Sequence, residues 1–138
     1  MDDCVFCKIV RGELPSEKLY EDEYTLAFMD ISPANKGHAL IIPKEHHETI
    51  LDTPNELMEK LGACTKKIAE GVTKAVGADG FNVLSNNKKA AGQLVFHLHF
   101  HIIPRFENDD IDMTFPHKKY DEGETEEYAE NIRKNMGQ

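Results

Sequence analysis

The apolar residues of this chain alternate with polar ones in short stretches and follow helical spacing in one long stretch. Residues 18–31 predict a hairpin of two short strands that turns about Glu21–Glu23, because apolar runs flank an acidic centre. Residues 37–44, GHALIIPK, predict a buried strand closed by Pro43. Residues 81–87 and 95–104 predict two more strands, separated by the loop KKAAGQ.

One long helix is predicted between these strand pairs. Thr53-Pro54-Asn55-Glu56 has the form of a capping box with proline at the first helical position, and Gly77 supplies the stop. Cys64 lies on the apolar stripe of this helix, so we interpret it as a core residue. The stripe comprises Leu57, Leu61, Cys64, Ile68, Val72, Ala75 and Val76.

Weaker helical signals lie at the two ends. Met1–Arg11 is mildly amphipathic and is followed by the breakers Gly12 and Pro15, and Asp121–Asn135 predicts a charged final helix. A strand hairpin, a long helix and a second strand pair predict an α+β domain with a mostly antiparallel sheet. The 138 residues fit one domain with a core of its own.

The stretch VFHLHFHIIP, residues 95–104, carries three of the seven histidines. His97, His99 and His101 alternate with Phe96, Leu98, Phe100 and Ile102, which predicts a strand with the imidazoles on one face. Neighbours on that face lie roughly 6.6 Å apart and the outer two roughly 13 Å. Ligand nitrogens on one tetrahedral zinc are only about 3.3 Å apart. All three histidines cannot share one ion on an extended strand, so we predict that their roles differ.

The net charge and the hydropathy of the chain restrict the kinds of binding partner and the location that we expect. The formal net charge is −9 and no basic cluster exceeds a Lys-Lys pair, so we expect no nucleic-acid partner. No apolar run approaches the length of a membrane span, and the start MDDCVFCKIV lacks the basic region of a signal peptide. We therefore expect no membrane association and a cytoplasmic location, where cysteines are metal ligands, reactive thiols or core residues more often than disulfides.

Cys4-x-x-Cys7 is consistent with half a zinc site, a redox pair or two unligated thiols. A redox motif of this kind follows a strand in a βαβ unit, and that context is missing here. A zinc site would need ligands from distant parts of the chain. His46 and the histidine strand could supply them.

Two further segments could contact an anionic or polar ligand. The loop from Asn86 to Gln93 contains small residues and Gly92, so its backbone N–H groups could hold a phosphate, although a plain connecting loop explains it equally well. Asp30 ends an apolar strand beside Ile31 and Pro33. An Asx turn is the commoner explanation for it, and a ligand contact is the alternative.

Taken together, these segments resemble the histidine triad (HIT) family of nucleotide hydrolases and transferases, in the zinc-carrying Hint-like branch. The resemblance is carried by His97-Leu98-His99-Phe100-His101-Ile102-Ile103 with Gly92-Gln93 and Asn86 upstream, by residues 26–46, and by the N-terminal block from Cys4. It implies a single HIT domain over residues 1–138, with a core at about 4–105 and a helical C-terminal extension at about 106–138. It also implies a five-stranded antiparallel sheet with two main helices, and a homodimer with an extended sheet.

The resemblance further implies a covalent mechanism. His99 would attack the α-phosphorus of a purine nucleotide conjugate, a phosphoramidate or a dinucleoside polyphosphate, and water would then release the nucleoside monophosphate. His101 and His38 would support the phosphate and the leaving group. A neutral imidazole is a good nucleophile at neutral pH without a separate base.

The remaining site residues follow from the same resemblance. Asp30 would accept the ribose hydroxyls. Asn86, Gln93 and the backbone of Gly92–Leu94 would surround the phosphate. The purine slot would consist of Phe6, Ile9, Phe28 and Ile31, and a structural Zn²⁺ would bind Cys4, Cys7, His46 and His97.

One departure from the family pattern is Leu94, where many Hint-branch enzymes have serine, so a hydroxyl near the phosphate is missing. Two other functions are kept open. Two strand histidines could hold a catalytic zinc with an open position, or the protein could bind nucleotides as an adaptor with little turnover.

Overall fold

The structure is a computed structural model, in which residues 3–137 are described. Met1 and Asp2, the start of the predicted N-terminal helix, lie outside this range. The elements along the chain are α1 (Val5–Val10), β1 (Lys18–Glu21), β2 (Thr25–Met29), β3 (Ala39–Pro43), α2 (Asn55–Val76), β4 (Gly80–Leu84), β5 (Phe100–Arg105) and α3 (Glu124–Lys134). Short 3₁₀ turns occupy Ile50–Asp52 and Lys89–Ala91.

The five strands form one antiparallel sheet in the order β1-β2-β3-β5-β4. The predicted hairpin is β1–β2, and β3 is buried along its whole length, as its continuous apolar run predicts. The predicted α+β class and the five-stranded antiparallel sheet are confirmed.

Each face of the sheet is covered by one helix, and the two faces have different roles. Ala39, Ile41 and Ile102 face α2, where they form a core with the apolar stripe of that helix and with buried Cys64. The alternate residues of the same strands, such as Phe28 and Leu40, pack with Phe6 and Ile9 of α1 on the other face. Because strand side chains alternate, the odd-numbered residues of β5 point to the α1 face. That face carries the histidines.

The start of α2 differs from the prediction. Pro54 is the N-cap residue and makes no side-chain cap bond. The Thr53 hydroxyl instead donates to the carbonyl of Thr49. A reciprocal cap does form four residues earlier, where Asp52 accepts the Thr49 N–H and Thr49 accepts the Leu51 N–H. The predicted capping box at Thr53–Glu56 is therefore wrong, and the observed capping box belongs to the preceding 3₁₀ turn. Gly77 ends α2 in the left-handed conformation, as predicted.

The histidine stretch is only partly regular strand. β5 begins at Phe100, and residues 95–99 approach it as irregular chain. The reason is local: the Leu98 N–H donates to the carbonyl of His47 in a neighbouring loop, not to a strand partner. The alternation of faces nevertheless persists, since Leu98 packs in the α2 core whereas His97 and His99 contact Phe6.

Gly37 precedes β3 at a position that only glycine fits well. Its φ is +104°, and a Cβ there would lie 3.0 Å from Cγ1 of Val76 and 3.4 Å from Cγ of Pro104. We expect Gly37→Ala to lower the free energy of unfolding by about 1–3 kcal/mol. Gly62, exposed within α2 with nothing near its Cβ direction, is the matched control, and Gly62→Ala should raise stability by up to about 1 kcal/mol. Equal urea midpoints for both variants would contradict this.

Hydrogen bonds hold the first residues of the C-terminal extension to the body of the domain. Asp109 accepts hydrogen bonds from Arg105, Asn35 and the backbone of Phe106, and Arg105 also donates to the carbonyl of Ile111. From residue 112 onward no described residue is buried, α3 included.

Candidate functional site

A cavity of about 450 Å³ opens on the α1 face of the sheet. It lies between α1, the end of β2, the start of β3, β5 and the loop before β5. Most of the predicted ligand-binding residues line it. They are Phe6, Ile9, Phe28, Asp30, Ile31, His38, Asn86, Gly92, Leu94, His99 and His101. A largely apolar cavity with a few converging polar groups is the usual form of a small-molecule site.

His99 presents an unprotonated nitrogen in this cavity. Its Nδ1 lies 2.7 Å from the carbonyl oxygen of His97, which can only accept, so Nδ1 carries the proton. In the neutral ring Nε2 therefore keeps a free lone pair. Burial lowers the pKa of His99 and favours this neutral form. The Phe6 ring contacts the His99 ring edge-to-face, with centroids 5.1 Å apart, and fixes its orientation.

His38 and His101 form a hydrogen-bonded pair beside it. The Ala34 N–H donates to Nδ1 of His38, so the proton of the neutral ring lies on Nε2. That Nε2–H donates to Nδ1 of His101 over 2.9 Å, which leaves the proton of His101 on Nε2. Burial, followed by the neighbouring His99 and His38, lowers the pKa of His101 to about 4. Burial also lowers the pKa of His38, against the opposing charge of Asp30.

Asp30 forms the predicted Asx turn and also faces His38. One carboxylate oxygen accepts the Ser32 N–H and closes an Asx turn, and the other lies 3.5 Å from Nε2 of His38. The side chain lines the cavity and is half-buried. Its second oxygen can therefore accept further hydrogen bonds from a ligand.

Gln93 does not reach the cavity, contrary to expectation. Its side chain is 2% exposed, and its amide is used within the chain: it accepts the Lys88 N–H and donates to the carbonyls of Glu48 and Val95. The backbone N–H groups of Gly92 and Gln93 likewise donate to Lys89 and Lys88. The predicted backbone cradle is thus reduced to Leu94. The side chain of Gln93 therefore holds the shape of this loop.

A second cluster lies on the other side of His97. Ligand atoms of Cys4, Cys7, His46 and His97 all lie within 4.8 Å of one another. Nδ1 of His97 is 3.4 Å from Cys4 Sγ, 3.6 Å from Cys7 Sγ and 3.2 Å from Nδ1 of His46. These are close to the edges of a tetrahedron around one zinc ion, about 3.3 Å between nitrogens.

The surroundings of His97 suit a metal ligand. Its Nε2 lies 2.8 Å from the carbonyl oxygen of Pro43, so Nε2 carries the proton and Nδ1 turns its lone pair toward the two thiols. The side chain is fully buried, and burial lowers the pKa of His97 to about 4, which favours the neutral ligand form. Burial and the Cys4 thiol raise the pKa of Cys7 to about 11, so its thiolate needs a nearby cation.

The three triad histidines are therefore separated by their surroundings. His97 belongs to the Cys₂His₂ cluster and His101 to a cluster with Asp30 and His38, whereas His99 belongs to neither. In the Asp30–His38–His101 group, His38 donates its Nε2–H to His101, and one carboxylate oxygen of Asp30 lies 3.5 Å from the same nitrogen. A metal on Nε2 of His38 would move its proton to Nδ1, where the Ala34 N–H already points.

Several contributors to the site carry no sequence signal. The carbonyl of Pro43 selects the tautomer of His97, and the carbonyl of His97 selects that of His99. The Ala34 N–H selects the tautomer of His38. Backbone groups are present at every residue, so residue type cannot reveal them.

Asn35 could have been noticed as a polar residue in the turn before His38. It joins that turn to Asp109 and to the carbonyl of Pro104.

The buried histidine pair predicts a pH-dependent stability. A histidine whose pKa is about 4 when folded and about 6.5 when unfolded binds more protons in the unfolded state between these values. We expect the free energy of unfolding to fall as the pH decreases from about 6.5 to about 4. The groups facing His101 are Asp30, His38 and His99.

Urea unfolding at several pH values measures this effect. His101→Gln should flatten the decrease, and the exposed His117→Gln is the matched control that should keep it. An identical pH dependence in the wild type and His101→Gln would contradict the prediction.

Sequence comparison agrees with this architecture. The HIT domain profile matches residues 11–108. The adenosine 5'-monophosphoramidase hnt1 of Schizosaccharomyces pombe is 49% identical over 102 residues, 74% of each chain. The adenylylsulfatase HINT3 of Arabidopsis thaliana is 50% identical over 108 residues, which are 78% of this chain and 55% of that protein.

Solved structures agree as well. A crystal structure from Streptococcus mutans UA159 (47% identity) covers 99% of this chain and 87% of its own, with a TM-score of 0.94. A HIT family member from Bacillus subtilis (39% identity) covers 99% of both chains, with a TM-score of 0.93. A zinc-bound histidine triad protein from Mycobacterium smegmatis (40% identity) covers 85% of both chains, with a TM-score of 0.77.

The antiparallel sheet and the triad beside a cavity thus define a histidine-triad fold. This chain belongs to the HIT family. No helix within residues 3–137 combines the length and apolar character that crossing a bilayer requires.

Proposed function

We propose that this protein hydrolyses purine nucleotide conjugates at the α-phosphate through a nucleotidyl-His99 intermediate. The observation that carries the proposal is the state of His99: a neutral imidazole, oriented by the His97 carbonyl, with Nε2 unprotonated in the cavity. The names of the S. pombe and A. thaliana relatives, a monophosphoramidase and an adenylylsulfatase, support the same class of chemistry. Both names describe reactions of adenylyl compounds.

The reaction has two displacements. In the first, Nε2 of His99 forms a bond to the α-phosphorus, and the bond from phosphorus to the leaving amine or phosphate breaks with its electron pair on the leaving group. In the second, water attacks the same phosphorus and loses a proton, which balances the proton taken up by the leaving group. The phosphorus–nitrogen bond breaks with its electron pair on Nε2 of His99, and the nucleoside monophosphate leaves. Positioning and charge stabilisation contribute most of the rate in such transfers.

The neighbouring histidines would supply that stabilisation. His101 carries its proton on Nε2, so it can donate to a phosphoryl oxygen or to the departing group. His38 holds His101 in this tautomer through the 2.9 Å hydrogen bond, and Asp30 stabilises any positive charge that the pair acquires. Asn86 and the Leu94 backbone would complete the phosphate contacts.

The nucleoside would occupy the apolar part of the cavity. The purine fits the slot lined by Phe6, Ile9, Phe28 and Ile31, and Asp30 at its edge accepts the ribose hydroxyls. Ile31 is 94% exposed, so covering it with a base removes a large apolar surface from water. The absence of a hydroxyl at Leu94 leaves leaving-group recognition to the histidines.

We also propose that Cys4, Cys7, His46 and His97 hold a structural Zn²⁺. Four protein ligands close its shell, so the ion would tie α1 to β3 and the histidine stretch without taking part in the chemistry. The zinc-bound M. smegmatis relative supports this assignment.

Two alternative functions require different properties of this site. A catalytic zinc that used His97 would compete with the cysteines, because the lone pair of His97 faces them. A catalytic zinc on His99 and His101 would have to displace the proton that His101 carries on Nε2. An adaptor would use the same cavity with negligible turnover, and only kinetics separates it from an enzyme.

The proposed assembly is a cytoplasmic homodimer. β4 is an edge strand whose Phe81 and Val83 are about half exposed, at 46% and 48%. Edge strands with apolar side chains readily pair with a second copy, which would extend the sheet.

Trapping the intermediate tests the proposed mechanism. Protein mixed with adenosine 5'-phosphoramidate and quenched in mild base should carry one adenylyl group on His99, since phosphorus–nitrogen bonds survive base better than acid. Mass spectrometry of the proteolysed protein locates the adduct. Turnover without any adduct would reject the mechanism, and tight binding of adenosine monophosphate without turnover would favour the adaptor.

A further inference from the structure

Helix α1 contributes side chains to both of the sites described above. Cys4, its N-cap residue, and Cys7 belong to the Cys₂His₂ cluster. Val5, Phe6 and Ile9 of the same helix line the cavity. The proposed metal site and the proposed purine slot thus share one short element of structure. A change in the position of α1 therefore affects both of them.

The polar contacts of α1 with the rest of the domain come from its two cysteines. Among the described residues, no other side chain of residues 4–10 has a hydrogen bond or sulfur contact to the sheet or its loops. Cys4 contacts His97, and Cys7 contacts His46 and His97. The helix otherwise packs through apolar and aromatic contacts. Because apolar packing is non-directional, we infer that the cluster sets the orientation of α1.

The helix is also too short to keep its conformation by itself. It has six residues, and isolated helices shorter than about 12–15 residues are marginal in water. Its conformation therefore depends on the groups to which it is attached. An ion bound by Cys4 and Cys7 would attach its first turn to His46 and His97, which belong to the body of the domain.

Phe6 connects the metal cluster to the cavity. Its ring packs edge-to-face on the ring of His97, a member of the cluster, with centroids 5.8 Å apart. The same ring packs on His99 at 5.1 Å and on Phe28, a wall of the slot, at 5.7 Å. Displacement of α1 would move this ring and open the slot. The tautomer of His99 would be kept, because the carbonyl of His97 that fixes it does not belong to α1.

We propose that the Cys₂His₂ site and the nucleotide cavity are coupled through α1, so that bound zinc tightens nucleotide binding and bound nucleotide tightens zinc binding. The proposal rests on the proposed function and adds regulation of the cavity by the metal. Thermodynamic linkage requires the same factor in both directions, and couplings between sites are commonly about 5- to 150-fold. The coupling changes affinity and leaves the attack by His99 unchanged.

The zinc affinity of the intact, zinc-loaded protein provides the first test. A chromophoric chelator of known affinity competes for the ion with and without adenosine monophosphate. We expect the nucleotide to lower the zinc dissociation constant about tenfold. Ribose 5-phosphate at the same concentration is the matched control, because it has no base to contact Phe6 and Ile9, and it should lower the constant less than about twofold. Equal effects of the two ligands, or no effect of either, would overturn the proposal.

Nucleotide affinity provides the reciprocal test. Titration calorimetry with adenosine monophosphate compares zinc-loaded protein with chelated protein whose circular dichroism shows a retained fold. The dissociation constant should rise about tenfold on chelation. The kcat for adenosine 5'-phosphoramidate at saturating concentration should not change. A fall in kcat with a constant dissociation constant would overturn the coupling and favour the catalytic-zinc alternative.

Substitutions at Lys8 test the route through the helix. Lys8 lies between Cys7 and Ile9, and it neither lines the cavity nor belongs to the metal cluster. Glycine at this position disfavours the helix and alanine favours it. Lys8→Gly should therefore reduce the coupling factor to less than about threefold, whereas Lys8→Ala, the matched control, should keep it near tenfold. A wild-type factor in Lys8→Gly would reject α1 as the connection.

Failure of the coupling can be distinguished from failure of the proposed function. A chain that binds zinc and adenosine monophosphate independently would overturn the coupling and leave the proposed chemistry intact. A chain that shows the coupling but forms no adenylyl adduct on His99 would reject the proposed mechanism alone. A chain that binds only one of the two ligands would overturn the coupling together with the site that stays empty.

Discussion

Replacing His99 with glycine should reduce hydrolysis of adenosine 5'-phosphoramidate by about 10⁴-fold or more, because no other group can form the bond to phosphorus. Binding of adenosine monophosphate should change little, since the apolar slot and Asp30 remain. The expected signature is a large fall in kcat with a nearly constant dissociation constant. Single-turnover kinetics and isothermal titration calorimetry provide the two measurements.

Imidazole added in solution gives this prediction a positive test. The cavity left by His99→Gly can admit a free imidazole, whose lone pair can replace Nε2, so activity should recover in proportion to the imidazole concentration. His117→Gly, exposed in the extension, is the matched control and should retain wild-type turnover without any response to imidazole. Wild-type activity in His99→Gly without imidazole would refute the proposed nucleophile.

Loss of the metal ligands should have the largest effect on stability. A ligand present at 1,000 times its dissociation constant contributes about 4 kcal/mol to the folded state. We therefore expect Cys7→Ser, or chelation of the wild-type protein, to lower the free energy of unfolding by about that amount. Elemental analysis should find one zinc per chain in the wild type and much less in the variant.

Cys64 offers the control for this experiment. It is buried in the α2 core and lies outside the metal cluster, so Cys64→Ala should keep the full zinc content while losing some packing energy. Molecules that remain folded after chelation should keep their turnover. A loss of activity that follows zinc removal while the fold persists would favour the catalytic-zinc alternative. Full stability of Cys7→Ser without zinc would contradict the structural role.

Much of the architecture follows from local sequence. The apolar run of residues 39–43 is a buried strand because both of its faces are covered, and the stripe from Leu57 to Val72 is the buried face of α2. The differences between the predicted and the observed elements are also local. Thr53 has the form of a cap, but Thr49 and Asp52 form it, since a hydroxyl bonds whichever backbone group lies nearest.

The site is less predictable than the fold. Asp30, His38 and His101 converge as the resemblance implies, whereas Gln93 turns away because the carbonyls of Glu48 and Val95 hold its amide. Those carbonyls belong to segments far apart in the chain. Their positions depend on how the loop before β5 packs on residues 47–48.

From sequence alone we could predict that the three triad imidazoles occupy one side of the chain and that one ion cannot bind all three, because side chains alternate along an extended chain. Only the tertiary structure decided which nitrogen of each ring carries the proton. His97 meets Cys4 across 93 residues of sequence, and the carbonyls of Pro43 and His97 fix the tautomers. Proton positions depend on the nearest hydrogen-bond partner, and folding brings that partner from elsewhere in the chain.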